Sequence, residues 1–220
     1  MLECKGLTLK YRDGHNENLV LDAVDLKIEK GRNVVVLGPS GSGKSSLIYL
    51  FSGLRKPTAG SIYIDGTDVS ALKKKEYDDL RRKKYGYIFQ MHFLIPYLTV
   101  FENVLTGAPR TTGEFRDKAR ALLRELGIAQ YEKKRMHELS GGERQRAAIA
   151  RALVSEPEIL FADEPTASLD HDNAVTIMKL IKAYKASSTL LIATHDTSIL
   201  TGDEDILRIE HKKVVGAEIH

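Results

Sequence analysis

Three runs of consecutive apolar residues stand out from an otherwise mixed pattern: Val34-Val35-Val36-Leu37, Ile159-Leu160-Phe161-Ala162 and Leu190-Leu191-Ile192-Ala193. Unbroken runs of this length, bounded by polar residues, predict strands buried on both faces, as in a parallel sheet. A fourth strand, Tyr85 to Phe89, delivers Gln90. Leu2 to Tyr11 instead alternates, with a slip at Gly6, and predicts a strand with one buried face. Arg12 to Asn18 is polar and turn-prone. Val20, Leu26 and Ile28 mark the next strand, closed by Lys30-Gly31, and Ser61 to Ile64 another, closed by Asp65-Gly66.

Helical spacing takes over between these strands. Ser46 to Gly53 predicts a helix, and Ala71 to Lys84 a solvated helix laced with both signs of charge. Glu114 to Gly127 places Phe115, Ala119, Leu122, Leu123 and Leu126 on one face, with Gly127 as terminator. Ser140 is placed as the N-cap of a helix through Leu153, and Val175, Met178, Ile181 and Tyr184 mark a further one. Met91 to Val104 is unusually apolar for a connection. Residues 107–113 read as a linker, and two short strand-like runs, Ile206–Ile209 and Lys213–Ala217, end the chain.

Composition narrows the picture only a little. The 220 residues are enough for one large domain with its own core. A net charge of +3 gives no global attraction to nucleic acid, and no nucleic-acid partner is expected. Cys4 is the one cysteine, so no internal disulfide is expected and the residue reads as a small core side chain. The N-terminal residues lack the apolar segment of a signal peptide. No run reaches the ~18 apolar residues of a membrane span, so a membrane role would need a separate partner.

The chemistry begins where the first buried run ends. Gly38-Pro39-Ser40-Gly41-Ser42-Gly43-Lys44-Ser45 matches the phosphate-loop pattern G-x-x-x-x-G-K-[ST], with strand before and helix after. Glycines let backbone N–H groups curl around an oxyanion, and the helix start adds its positive end. Lys44 would reach the β- and γ-phosphates of a nucleotide, and the Ser45 hydroxyl would hold Mg²⁺. In an open parallel sheet, ligands bind beyond the carboxyl ends of the strands. Gln90, Asp163-Glu164 and His195 all follow such strands and would converge on the same nucleotide. Asp163 fits the carboxylate that orients Mg²⁺, and Glu164 beside it is suited to polarise the attacking water.

Leu139-Ser140-Gly141-Gly142-Glu143 carries the family resemblance. With the phosphate loop and Asp163-Glu164 in order and spacing, the chain resembles the ATP-binding-cassette family across essentially its whole length. Glu143 stands where the commonest signature has Gln. The resemblance implies an α/β P-loop NTPase core with a mainly parallel sheet, an N-terminal antiparallel β region and a helical subdomain. It divides the chain into a RecA-like core, about 1–90 and 156–220, and a helical subdomain, about 91–155. It implies ATP and Mg²⁺ as cofactors and ATP hydrolysis as the activity. The ATP-binding set runs from Gly38 through Ser45 to Ser46.

By the same resemblance, Tyr11 looks like the adenine-stacking aromatic, although half-buried strand tyrosines look the same. Gln90 looks like the glutamine that contacts Mg²⁺ and water and senses a membrane subunit. Ser168-Leu169-Asp170 looks like the segment through which paired cassettes communicate, and His195 like the histidine on the γ-phosphate. Ser140, Gly141, Gly142 and Glu143 would serve the ATP of a second copy in a head-to-tail homodimer. The other partner implied is an integral membrane permease meeting Gln90 to Phe101, which would hold the chain on the cytoplasmic face of the membrane. The apolar Met91–Phe101 stretch fits either that docking or plain packing between subdomains.

Tyr87-Ile88-Phe89-Gln90, Pro96-Tyr97-Leu98 and Ala162 to Asp170 look most like the macrolide-exporter, lipoprotein-release and haem-exporter group. Leu94 to Val100 leans towards its haem-exporter branch. A cassette that signals to a membrane protein without moving cargo is the alternative. DNA-repair cassettes would need a coiled-coil insertion between Met91 and Leu139, and translation-associated cassettes usually carry two cassettes per chain; this sequence has neither feature.

Overall fold

A computed structural model describes residues 1–14, 16–184 and 188–218. Strands β1 (Leu2–Asp13) and β2 (Asn16–Ile28) form a hairpin, followed by β3 (Asn33–Leu37) and helix α1 (Lys44–Phe51). Then come β4 (Ala59–Ile64), β5 (Thr67–Asp68), α2 (Lys74–Lys84) and β6 (Tyr85–Ile88). Helices α3 (Val100–Leu105), α4 (Gly113–Glu125) and α5 (Gly141–Leu153) lead to β7 (Ile159–Asp163). The remainder is α6 (His171–Tyr184), β8 (Thr189–Ala193), β9 (Asp205–Glu210) and β10 (Lys213–Glu218).

The six-stranded sheet has the order β10-β9-β3-β8-β7-β6, and every pairing in it is parallel except β10 with β9. All residues of β3, β7 and β8 are buried, as their unbroken apolar runs require. Their side chains alternate between two cores. Val35, Leu37, Leu160, Ala162, Leu190 and Ile192 pack with α3, α4, α5 and α6 on one face. Val34, Val36, Ile159, Phe161, Leu191 and Ala193 pack on the other face with α1 and a four-stranded antiparallel sheet, β2-β1-β4-β5.

That second sheet is the expected N-terminal antiparallel β region, and residues 59–68 join the hairpin in it. The slip at Gly6 is a β-bulge that keeps Leu2, Cys4, Leu7 and Leu9 all buried. The Arg12–Asn18 stretch is largely strand rather than loop. Arg12 pairs across the hairpin with Glu17, and Lys10 and Arg12 both bridge that carboxylate, at 3.1 and 3.0 Å. Opposite charges facing each other hold polar residues in register; His15 lies outside the described residues.

The apolar connection after Gln90 also divides. Thr99 caps α3, its hydroxyl accepting from Glu102 N while Glu102 accepts from Thr99 N, and Val100, Val104 and Leu105 are buried. Met91, Phe93 and Tyr97 are instead exposed, at 70%, 62% and 74%. On α6 the buried face is Ala174, Ile177, Met178 and Ile181, with Val175 half-buried; the side chain of Tyr184 is outside the described set.

Candidate active site

Because β3, β6, β7 and β8 are parallel, their carboxyl ends share one edge of the sheet, and the polar residues after each strand meet there. The loop after β3 curls back on itself. Lys44 Nζ donates to the carbonyls of Gly38 (2.8 Å) and Pro39 (3.0 Å), so its aliphatic stem is buried and its ammonium lies along the loop. Gly43 is the N-cap of α1 at φ 108°, and a Cβ there would lie 3.1 Å from Val20. Only glycine takes this conformation and this proximity without strain. Pro39, Ser40 and Gly41 are exposed, whereas Ser42 Oγ is buried without a hydrogen-bond partner. An orphaned buried hydroxyl in a glycine-rich loop, beside a buried lysine, suits a polyphosphate.

Two turns of chemistry lie next to that loop. Ser45 Oγ donates to Asp163 Oδ1 at 2.7 Å, across from β7. A hydroxyl and one buried carboxylate at a phosphate site are the protein donors Mg²⁺ ordinarily uses, the rest coming from phosphate and water. Glu164 follows in the left-handed region, φ 46°, with its N–H donated to Ala193 O of the neighbouring strand at 2.9 Å. This strained turn aims its carboxylate at the end of β8. There Glu164 Oε1 meets His195 Nδ1 at 2.8 Å, and Oε2 accepts from Thr194 Oγ1 at 3.2 Å. Held at Nδ1, the largely exposed His195 ring leaves Nε2 for another ligand. Gln90 is exposed in the bend beyond β6, and among the described residues no hydrogen bond joins it to Ser45 or Asp163.

Tyr11 stands close to the loop, its hydroxyl 3.2 Å from Ser46 Oγ. The signature stretch is elsewhere. Ser140 caps α5 reciprocally with Glu143, Ser140 N donating to Glu143 Oε2 at 2.7 Å. Ser140, Gly142 and Glu143 line a polar cavity of about 420 Å³ with Ser168, Leu169 and Asp170, and no residue from Gly38 to Ser46 lines it. A Cβ on Gly142 would sit 3.1 Å from Leu169 Cδ2, so the glycine is what lets the 168–170 segment lie against the helix start. The structure thus forms two separate glycine-lined helix starts, each suited to an anion.

Residues 21–167 match the ABC transporter family. The chain belongs to the ABC transporter family. As an ABC cassette it is an ATPase that uses ATP with Mg²⁺. It is 40% identical over 222 residues to the lipoprotein-releasing system ATP-binding protein LolD of Pseudomonas syringae pv. tomato, covering 99% of this chain and 98% of that protein. It is 39% identical to LolD of Aquifex aeolicus, covering 90% of each. The dimeric structure of the ABC transporter cassette MJ0796 superimposes with a TM-score of 0.92 at 35% identity, covering 100% of this chain and 98% of that one. A post-hydrolysis state of MJ0796 bound to ADP and phosphate matches equally well. Among the described residues no helix of the cassette is long and apolar enough to cross a membrane.

The site holds residues that the motifs alone do not name. Tyr49 OH donates to Asp163 Oδ2 at 3.0 Å, and burial together with the Asp163 charge pushes its phenol up to about 12, so it stays a donor. The four-residue spacing from Ser45 places both hydroxyls on one helix face. Gln145 is buried on α5 and its Nε2 donates to Pro165 O, tying the signature helix to the turn that carries Glu164.

Proposed function

We propose that this cassette is the motor of a membrane transporter, two copies closing head to tail around two ATP molecules. The observation that carries the reading is the alignment of Ser45–Asp163 and Glu164–His195 at the ends of adjacent parallel strands. Lys44 and the loop N–H groups bind the phosphates, Ser45, Asp163 and Gln90 hold Mg²⁺, and Tyr11 stacks on adenine. Bound Mg²⁺ neutralises charge developing on the phosphates. Glu164 takes the proton of the attacking water, oriented by Thr194 and His195, and His195 Nε2 faces the γ-phosphate. Ser140, Gly141, Gly142 and Glu143 reach the ATP of the second copy, with Ser168, Leu169 and Asp170 at the same junction. The separation of the two helix starts within one chain supports this sharing, as does the likeness to a dimeric cassette.

Residues 1–90 and 156–220 act as the core and 91–155 as the helical subdomain. A permease docks on the exposed Met91, Phe93 and Tyr97, keeping the cassette at the cytoplasmic face of the membrane. The LolD relatives support lipoprotein release as the cargo class within the exporter and extractor group. The haem lean of Leu94–Val100 gains nothing from its placement. Leu94 packs on the core, and Ile95 exchanges hydrogen bonds with Asn103, so these two residues serve packing.

Glu164→Gln should keep ATP binding and lower turnover about 10²–10⁴-fold, the usual contribution of a general base. Hydrolysis at the normal rate would remove Glu164 from that role. ATPase activity of the co-purified cassette–permease complex, with lipoprotein and with haem, separates the cargo readings. Stimulation by lipoprotein is expected. Stimulation by haem alone would overturn it, and stimulation by neither would favour signalling without cargo.

A further inference from the structure

Arg55 is exposed on the loop that follows α1, and its guanidinium stacks on the ring of Tyr11 with Cζ 4.0 Å from the centroid. That loop is not adrift. Arg55 N donates to Tyr49 O at 2.9 Å, folding the chain back along α1, and Thr58 ties it to β1 through Thr58 N to Thr8 O (2.8 Å) and Lys10 N to Thr58 Oγ1 (2.9 Å). Arg55 therefore reaches Tyr11 from the C-terminal side of α1. The phosphate loop lies at the opposite, N-terminal end, where the Tyr11 hydroxyl meets Ser46.

We propose that Arg55 is a positioning residue for the base of the nucleotide: it backs one face of Tyr11 so that the other face receives adenine. This rests on the reading of Tyr11 as the adenine platform. The Ser46 contact fixes the tip of the ring and the Arg55 stack fixes its tilt, so the ring is oriented before ATP arrives. A cation against one face also draws π-density towards itself, which leaves the opposite face less repulsive to the π-cloud of a base. The planar guanidinium matters as well as the charge, since lysine cannot stack in the same way.

The test compares ATP with inorganic tripolyphosphate, which carries the phosphates without the base. Binding of each to the wild type, Arg55→Ala, Arg55→Lys and Tyr11→Ala is measured by calorimetry, with steady-state KM and kcat for ATP. Arg55→Ala should weaken ATP about two- to fivefold, the scale of an exposed cation–π contact. Its KM should rise with kcat retained, tripolyphosphate binding should not change, and Arg55→Lys should recover part of the loss. Unchanged ATP affinity in Arg55→Ala, with ATP binding weakened in Tyr11→Ala, would overturn the role of Arg55 alone. Tighter ATP binding in Arg55→Ala would place the guanidinium on the adenine face and also overturn it. If Tyr11→Ala leaves ATP and tripolyphosphate both unchanged, the Tyr11 platform itself is wrong. Equal loss of both ligands in Arg55→Ala would mean damage to the phosphate loop, and would contradict the proposal.

Discussion

Asp163 is buried between two hydroxyls on one face of α1, Ser45 and Tyr49, and each holds a different carboxylate oxygen. Removing the Tyr49 hydroxyl leaves Oδ2 unpaired in a buried place, which costs about 1–3 kcal/mol. Tyr49→Phe should therefore lower stability by that order in a urea titration. It should also raise the Mg²⁺ concentration needed for half-maximal ATPase activity, because a carboxylate freed on one side no longer presents Oδ1 squarely. An unchanged Mg²⁺ titration would restrict Tyr49 to a packing role. The pattern G-x-x-x-x-G-K-[ST] names Ser45 directly. Nothing in the pattern names Tyr49, since a tyrosine on an amphipathic helix is indistinguishable from core until the carboxylate it faces is known. Glu164 is similar. Its position in the sequence marks it as an acid after a buried strand, but its left-handed backbone and its contact with His195 depend on β8 lying beside β7.

At the scale of elements, the three unbroken apolar runs fold as fully buried parallel strands, because a sheet covered on both faces favours apolar side chains on both and keeps its buried polar residues, Asn33, Asp163 and Thr189, at strand ends. Ser140 as helix cap was equally legible, since Ser-x-x-Glu closes a reciprocal pair. Thr99-Val100-Phe101-Glu102 carries the same signal for α3. The six-residue helix escapes a reading by period because it is too short to show one. The link between α6 and β9 was also invisible in the sequence. Lys182 bridges Asp203 at 2.7 Å and Glu204, and Glu204 is buried. Burial raises the Glu204 carboxyl, but Lys182 and the N–H groups of Thr201 and Gly202 outweigh it and leave it below its usual range. Asp203 is also held low by Lys182 and Thr201, though its exposure makes its share of stability small. Lys182→Met should destabilise the fold by about 3 kcal/mol, the order expected when one partner of a buried pair is lost. A carboxylate lowered in the folded state stabilises above its unfolded pKa and loses that effect as pH falls. The gap between wild type and Lys182→Met in urea melts should then be full at pH 7 and shrink below about pH 4. A gap independent of pH would contradict the pairing.

Across the whole molecule, one chain presents a phosphate loop with its carboxylates and histidine at one place, and a second glycine-lined helix start at another. Among the described residues, none from Gly38 to Ser46 lines the cavity at the second. A monomer that completed its own site would bring the signature to its own phosphate loop. This one instead turns Ser140, Gly142 and Glu143 towards Ser168, Leu169 and Asp170, and on the proposed reading a second copy brings the halves together. On the proposed reading, closure would be a two-state equilibrium, biased by ATP because only the closed state would give the γ-phosphate both sets of donors. Blocking hydrolysis should hold it closed. The most direct measurement is the mass of Glu164→Gln in solution by light scattering, with and without saturating MgATP. The variant should measure 24.5 kDa without nucleotide and twice that with it, and the larger species should be lost when Ser140→Arg is added. A chain that binds MgATP and stays at 24.5 kDa would contradict the shared site.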